Sequence, residues 1–530
     1  MTTSNFAPSV RRTAGVFALA TVGITISAAQ VSVTTYHYDN YRTGWNSQET
    51  VLTPAAVGGA NFGLLQTVDL DGQVDAQPLV VPNVMITVGA NQGSHDVVYV
   101  ATSANIVYAI DVHTGVVLLH ADFGTPVTKP LGCNNNAHTV GITSTPVIDT
   151  ASSTMYVMVY NQDSSVQNYR LHALDIGSLV DRTAPQVVTA SHTLTNGTTY
   201  TFNAGVQRQR PGLLLANGNI YAGFGSFCDY SAGLSRGWLL GWNAASLEPL
   251  PGNQLNDTQD SSPDSFFLSS IWMSGYAPAT DDSGNVLFVT GNSDYSGTTY
   301  DGVTNIQESV VKVSPTLTGV LDLFTPDDQA SLDEFDTDFG SGGVLVLPDQ
   351  PGTIPHLAVA AGKNGNMYLM NEDDLGGYST SGNNVLGTYS IGACWCGQSY
   401  FAGPNGEARV VSSGGNSVGV WLLGTSTSVG LKKIAVSASL PTGQSGGFFT
   451  SVSSNGTATP IVWALTRPQS KSSTSISLYA FNPENSMAQI YTTAAGTWPN
   501  YGGDSNQVPV VANGRVFVAS YQQLQIFGMK

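Results

Sequence analysis

The chain has 530 residues, of which 36 are acidic and 18 basic, and its formal net charge is −18. Such an acidic surface repels phosphate backbones, which disfavours nucleic-acid binding. Charged residues make up only 10% of the chain, whereas glycine is abundant at 58 residues. This composition favours a β-rich protein with many tight turns over a helical bundle. The apolar content of 42% argues against disorder, because it is enough to fill a core.

The first 29 residues have the features of a secretory signal. Arg11 and Arg12 precede an uncharged apolar run, and small residues follow it up to Ala29. This is the order of the basic, apolar and cleavage regions in such signals. The run is short for a membrane-spanning helix, which needs about 20 residues. We therefore predict cleavage after Ala29, one domain over residues 30–530, a periplasmic or secreted location and no membrane span in the mature protein.

The stretch VVYVATSANIVYAIDVHTG, residues 97–115, is a pattern that returns along the chain. It consists of an apolar run, a polar turn and a second apolar run that ends near an acid or an amide. Seven further copies begin at Thr154, Asn219, Val286, His356, Ala408, Pro460 and Arg515. They follow one another at intervals of roughly 50 to 70 residues, a spacing typical of propellers and solenoids.

Eight copies of this length predict an all-β, eight-bladed β-propeller with four antiparallel strands in each blade. We expect the outer strand of one blade to come from residues 65–81, LQTVDLDGQVDAQPLVV. Such a strand would join the two ends of the chain and leave no free sheet edge. An open solenoid is the alternative, but it would need distinctive capping repeats, which the sequence lacks.

The four cysteines, an even number in a chain with an export signal, indicate disulfide bonds. Three pairings are open, and we favour Cys133 with Cys228 and Cys394 with Cys396. A metal site at the CWC sequence is less favoured, because no histidine stands beside it at ligand spacing. No Cys-x-x-Cys-His sequence occurs, which argues against a covalently bound c-type haem.

The phrase DVHTG, which ends at Gly115, resembles the tryptophan-docking repeat of the quinoprotein alcohol dehydrogenases. The usual Trp four residues after that Gly is Leu119 here. Similar phrases continue in order through nearly the whole mature chain, among them GNVLFVTGN, IWMSGYAPA and AAGKNGNMYLMNEDD. The family consists of eight-bladed propellers that bind pyrroloquinoline quinone and a calcium ion near the axis. The resemblance therefore implies a quinoprotein-type oxidoreductase that acts on an alcohol or a sugar.

The resemblance also implies where the quinone and calcium would bind. Trp272 maps to the aromatic floor under the quinone, and Lys363 to the cation at its carbonyls. Asn292 and Asp229 map to calcium ligands, which are oxygen donors as Ca²⁺ requires. Each residue also has a purely structural alternative. Asn292 and Lys363 stand in turn sequences, Trp272 would fit between blades, and Asp229 would orient the loop tied by the neighbouring cysteine.

The resemblance places the catalytic base, which takes the alcohol proton, near the fourth copy. The acids nearest to that place are Asp301 and Glu308, and we take both as catalytic candidates. The vicinal Cys-Cys pair that covers the quinone in the family is absent, since Cys133 stands alone.

Two functions remain open. An enzyme would pass its electrons to a separate acceptor, because the chain has no haem motif. The alternative is a non-catalytic propeller that binds a polysaccharide or a protein partner.

Overall fold

The computed structural model describes residues 1–4, 30–133, 137–228, 235–260, 269–293, 300–425 and 428–530. Asp229 and most of the signal segment lie outside these ranges. Within the described residues, the strands form eight sheets of four or five strands, together with two short two-stranded ribbons. We number the sheets as blades 1 to 8 in chain order. This arrangement confirms the predicted all-β, eight-bladed propeller.

The bounds of the strands follow the repeat. Blade 1 contains Leu79–Ile86, Gly93–Ala101, Ile106–Asp111 and Val117–Asp122; blade 2 contains Val147–Asp149, Thr154–Asp163, Val166–Asp175 and Gln186–Val187; blade 3 contains Gln207–Gln209, Leu214–Ala216, Asn219–Ser226, Trp238–Asn243 and Gln254–Leu255; and blade 4 contains Ala279–Thr280, Val286–Val289, Val310–Val313, Val320–Thr325 and Gly377–Tyr378. Blade 5 contains Val344–Val346, Leu357–Ala361, Asn366–Asn371 and Gly387–Ser390; blade 6 contains Ser399–Ala402, Ala408–Ser412, Gly419–Gly424 and Gly430–Val436; blade 7 contains Trp45–Asn46, Phe449–Asn455, Ala458–Leu465, Ser475–Asn482 and Ala488–Thr497; and blade 8 contains Phe62–Gln73, Val510–Ala512, Arg515–Ala519 and Tyr521–Met529.

The remaining described elements are short. The two ribbons pair Val127–Thr128 with Thr139–Val140 and Ser191–Thr193 with Thr199–Thr201. The helices are Pro54–Val57 and Gln329–Glu334, and the 3-10 turns are Pro130–Gly132, Met273–Gly275, Phe339–Ser341 and Pro483–Asn485. No helix among the described residues is both long and apolar enough to cross a membrane.

Each sequence copy forms a hairpin within one blade, and in blades 1 to 3 the acid or amide at its end shapes the next turn. Asp111 Oδ1 accepts the backbone N–H and the hydroxyl of Thr114, both at 2.8 Å. Gly115 follows with a φ of +71°, a conformation that glycine adopts without strain. Asp175 and Asn243 accept equivalent bonds in blades 2 and 3. The repeated Asp or Asn is therefore a turn-forming residue, as its chemistry suggests.

The ring closes by pairing the two ends of the domain. Phe62–Gln73 lies antiparallel to Tyr521–Met529 as the outer strand of blade 8. This confirms the expected closure, although residues 79–81 of the predicted segment belong to blade 1 instead. The apolar core is a ring of clusters shared by neighbouring blades, so most blades contribute one face to each of two clusters. Both predicted disulfides, Cys133–Cys228 and Cys394–Cys396, are present.

Residues 33–46, which we call the axial segment, are hydrogen-bonded to every blade. Along the segment, the bonds run in blade order to Val80, Ile148, Leu215, Thr280, Val346, Tyr400, Val452 and Val511. Each of these eight partners lies in one strand that borders the axial segment, which is the first strand given above in blades 1, 2, 4, 5 and 6, and Leu214–Ala216, Phe449–Asn455 and Val510–Ala512 in blades 3, 7 and 8. These eight strands therefore surround the axial segment, and they are the innermost strands of the propeller.

The axial segment is held from within by a buried arginine and stacked rings. Arg42 donates to the carbonyl of Pro278 and to three oxygens within residues 35–39. His37 stacks on Tyr36 at 4.7 Å between ring centres, and both rings meet Tyr276 edge-on. These side chains are buried. The segment therefore fills the centre of the ring at this level.

Candidate functional site

One lysine in the loops near blades 4 to 6 lies beside two tryptophans. Lys363 is in the turn between the second and third strands of blade 5, Leu357–Ala361 and Asn366–Asn371. Its ammonium nitrogen lies 5.4 Å from the ring centre of Trp272 and 5.4 Å from that of Trp395. Trp272 precedes blade 4 and Trp395 precedes blade 6, and both are half-buried. A cation at this distance is attracted by the faces of both rings.

Two carboxylates hold the same lysine. Its Nζ lies 3.0 Å from Asp338 Oδ2 and 2.9 Å from Asp336 Oδ1. Asp338 is buried, whereas the side chain of Asp336 is 64% exposed. Burial opposes the charge on Lys363, but Asp338 and Asp336 outweigh it and raise its pKa above the ordinary value. Lys363 therefore stays charged throughout the neutral range.

Asn292 joins this cluster through its backbone and its side chain. Its N–H donates to Asp338 Oδ1 at 3.3 Å, and its Nδ2 donates to Asp336 Oδ1 at 3.4 Å. The preceding Gly291 makes room for the tryptophan, since a Cβ there would lie 2.9 Å from Trp272 Nε1. The structure thus brings together three predicted site residues, Trp272, Asn292 and Lys363.

Glu308 is the fourth predicted residue at the site, and it is completely buried. Its Oε2 accepts the backbone N–H of Phe339 at 2.5 Å, and its Oε1 has no hydrogen-bond partner among the described residues. Burial, reinforced by the charges of Asp338 and Asp333, raises the pKa of Glu308 well above its usual range. Its φ of 49° is uncommon for a residue with a side chain, and such conformations often occur at functional sites.

We expect the free energy of unfolding of Glu308→Gln, relative to that of the wild type, to increase as the pH rises. The folded protein holds the Glu308 proton above the pH at which the unfolded chain releases it, so this group makes stability fall with pH. The slope for one such proton is about 1.4 kcal/mol per pH unit. Urea unfolding at pH 5, 6 and 7 should therefore show that the difference in free energy of unfolding shifts in favour of the variant as the pH rises. A difference that does not change with pH would mean that Glu308 is ionised in the folded protein.

The acidic phrase LDEFDTDFGSGG, residues 332–343, supplies the other carboxylates of the site. Asp333, in the helix Gln329–Glu334, accepts the N–H of Ser293 at 2.5 Å and the side-chain amide of Gln307 at 3.0 Å. Asp336 and Asp338 follow in the loop and pair with Lys363. These three acids thus bind groups of the protein itself.

The structure places the other two predicted residues differently. Asp301 closes its own turn, because its Oδ1 accepts the N–H groups of Val303, Thr304 and Asn305 at 2.7–2.9 Å. All its described hydrogen bonds stay within residues 301–305, so the structure does not bring it into contact with the lysine cluster. Asp229 lies outside the described residues.

Sequence reasoning did not single out Asp338, Asp336 or Trp395 as site residues. The alternation of acids before the glycines was the signal for the first two. Trp395 was visible only as the residue between two cysteines. Its place beside Lys363 depends on the packing of blade 5 against blade 6, which no local pattern encodes.

The described residues at the site fit one of the two groups that the quinoprotein alcohol dehydrogenases bind. Two half-buried indole rings with an ammonium beside them fit a flat conjugated anion such as the quinone. The described residues do not by themselves form a calcium site. Among them, no three His, Cys, Asp or Glu side chains are grouped to hold a metal ion. The carboxylates of Asp336 and Asp338 are already engaged by Lys363.

Three solved structures share the fold of this chain. The quinohemoprotein alcohol dehydrogenase from Comamonas testosteroni matches with a TM-score of 0.61 and 14% identity, over 94% of this chain and 81% of that one. The corresponding enzyme ADHIIG from Pseudomonas putida HK5 gives 0.60 and 13%, over 94% and 80%. A europium-containing methanol dehydrogenase gives 0.60 and 9%, over 94% and 98%.

Comparisons by sequence add no further relative. No protein-family profile matches the chain, and no curated protein matches it. At identities of 9–14%, the structural likeness establishes the fold and leaves the chemistry to be argued from the residues. The chain has the eight-bladed propeller fold of the quinoprotein alcohol dehydrogenases.

Proposed function

We propose that this protein is an exported quinoprotein-type oxidoreductase that uses pyrroloquinoline quinone to oxidise an alcohol or a sugar. The observation that carries the proposal is the position of Lys363, whose ammonium lies 5.4 Å from two half-buried indole rings in a quinoprotein fold. Aromatic faces bind a planar conjugated molecule by stacking. The ammonium supplies the positive charge that an acidic quinone needs at its edge.

The residues of the site have distinct roles in this proposal. The bound quinone would supply the chemistry of accepting two electrons from the substrate. Trp272 supports one face of the ligand. Lys363 donates from Nζ and stabilises negative charge at the ligand's edge. Its ion pair with Asp338 fixes the position of that donor.

Asp338 is the residue that we propose to accept the alcohol proton. Burial raises its pKa more than Lys363 lowers it, and a raised carboxylate pKa makes a stronger base. Glu308 differs from Asp338, since burial and the neighbouring charges of Asp338 and Asp333 raise its pKa well above the usual range and favour its protonated form. Asp301 is committed to its own turn, so the proposal does not depend on it.

The calcium-dependent form of the proposal needs Asp229 together with Asn292. Carboxylate and amide oxygens are the ligands that Ca²⁺ prefers. Asn292 meets the lysine cluster through its N–H and Nδ2, which leaves its side-chain oxygen for such a role. We assign no catalytic step to the ion.

Export and an external electron acceptor complete the proposal. The disulfides Cys133–Cys228 and Cys394–Cys396 are typical of an oxidising compartment, which supports a periplasmic or secreted protein. The sequence contains no haem-attachment motif, so the electrons would pass to a separate carrier.

The test is a titration of the mature protein with the quinone, with and without Ca²⁺, followed by absorbance and thermal melting. Saturable binding that raises the melting temperature supports the proposal. Asp338→Asn should then keep quinone binding and lose dye-linked alcohol oxidation by about 100-fold or more. Asp301→Asn is the matched control and should keep both. Absence of binding at high micromolar quinone would favour a non-catalytic propeller that binds a polysaccharide or a protein.

A further inference from the structure

The backbone of Trp395 is constrained in a way that differs from that of every other tryptophan of the chain. It is the middle residue of a three-residue loop closed by the disulfide Cys394–Cys396. Both cysteines are buried. The N–H of Cys394 donates to Gly362 O at 3.1 Å, and the N–H of Trp395 donates to Gly446 O at 3.0 Å. The backbone that carries the indole is therefore fixed on both sides.

Arg467 holds the same loop through a hydrogen bond to its backbone. It is 1% exposed, and its guanidinium donates to the carbonyl of Trp395 at 2.6 Å. It also donates to the carbonyls of Ser445 and Ser505 and to the side-chain oxygen of Asn506. No carboxylate lies within ion-pair distance of it among the described residues. This arginine thus donates mainly to backbone oxygens and places a positive charge next to the backbone of Trp395.

The side chains of Trp272 and Trp395 pack differently from most of the other tryptophans of the chain. Five of the eight tryptophans are buried, and Trp45, which is half-buried, packs on Tyr400. Within the described residues, Trp272 and Trp395 stack on no ring. Two large indoles left half-exposed next to one another offer surface to a ligand.

The distances from Lys363 limit the separation of these rings. Since its Nζ lies over both rings at 5.4 Å from each centre, the centres are no further apart than twice that distance. Both indoles are therefore within reach of one ammonium, which is the cation available to an anion that stacks on either ring.

We infer that Trp395 is the second wall of the ligand site, and that the slot between Trp272 and Trp395 takes a flat conjugated carboxylate. The disulfide loop and Arg467 act as positioning elements that hold this wall. The inference rests on the proposed function for the identity of its ligand, the quinone, but the slot itself depends only on shape and charge.

Two probes separate the inference from the proposed function. One is pyrroloquinoline quinone, and the other is 2,6-naphthalenedicarboxylate, which is flat and anionic but has no quinone chemistry. Binding is followed by quenching of tryptophan fluorescence and by thermal shift. We expect Trp395→Leu to weaken both probes about 10-fold or more, the loss expected when one stacking face is removed. Trp395→Phe should restore most of the affinity.

Trp421→Leu is the matched control, because Trp421 also carries a lysine over its ring, Lys433 at 4.6 Å, but belongs to the core of blade 6. It should leave the affinity for both probes unchanged. Arg467→Met should weaken binding less than Trp395→Leu, since it loosens the wall without removing it. Melting temperatures of all variants identify any that fail to fold.

The outcomes are distinct. Weakening of both probes by Trp395→Leu with rescue by Trp395→Phe supports the inference. Binding of naphthalenedicarboxylate alone, sensitive to Trp395→Leu, supports the slot and overturns the proposed function. Binding of the quinone with an affinity that Trp395→Leu leaves within twofold overturns the inference and leaves the proposed function standing. Failure of the wild type to bind either probe overturns both.

Discussion

Replacing Lys363 by Met is expected to abolish quinone binding and to lower the free energy of unfolding at pH 7 by about 3–5 kcal/mol. The variant leaves Asp338 buried without its counter-charge, 3.0 Å from where the ammonium stood. Asp336 contributes little to this loss, because it is largely exposed and solvent screens it. Denaturant unfolding and fluorescence titration with the quinone measure the two effects.

The pH dependence and a second substitution make this prediction specific. Without Lys363 the pKa of Asp338 should rise further, so the loss of stability should be largest at pH 7 and should shrink towards pH 5. Asp338→Asn in the Lys363→Met background removes the unpaired charge and should restore most of the stability. Lys432→Met, at an exposed position, is the control and should change stability by no more than about 0.5 kcal/mol. A loss that the double variant does not repair would assign the effect to packing of the lysine stem.

Replacing Arg42 by Met is expected to cost at least about 3 kcal/mol of stability. Its guanidinium is fully buried and donates to the carbonyls of Pro278, Tyr36 and Asp39 at 2.8–3.0 Å. Removing it leaves these carbonyls without that donor in a place that excludes water. Because the axial segment bonds to all eight blades, the loss should appear as a lower melting temperature of the whole propeller.

Tyr41→Phe is the control for Arg42→Met. Tyr41 lies in the same segment, but its hydroxyl bonds to Asp282 at the surface, so its removal should change stability by no more than about 0.5 kcal/mol. An unchanged melting temperature for Arg42→Met would mean that burying the charge of Arg42 costs as much as its hydrogen bonds and its attraction to Asp39 return.

The fold was predictable from the sequence because its repeat is local. Each copy holds a whole hairpin, so apolar runs, polar turns and a turn-forming Asp or Asn recur at one spacing, as Asp111 and Asp175 show. Closure was predictable for a similar reason, since a ring of eight blades leaves one strand to be supplied from the other end of the chain. Even there, the end of the closing strand was not encoded locally, and residues 79–81 were assigned to the wrong blade.

The site was less predictable, because its residues come from loops that are far apart in sequence. Trp272, Asn292 and Lys363 were found through short phrases similar to those of a known family, and the structure brings them together. Asp338 and Trp395 were not found. The packing of three blades is what brings them beside Lys363.

The axial segment also has a consequence for the order of events in folding. Residues 33–46 precede nearly all the strands of the blades in the chain, yet Asn46 bonds to Val511, whose strand is made more than 400 residues later. Contacts between such distant residues slow folding, because the loop that joins them must close first. The segment can complete its bonds only after the last blade exists. The part of the domain that is synthesised first is therefore the last to complete its hydrogen bonds.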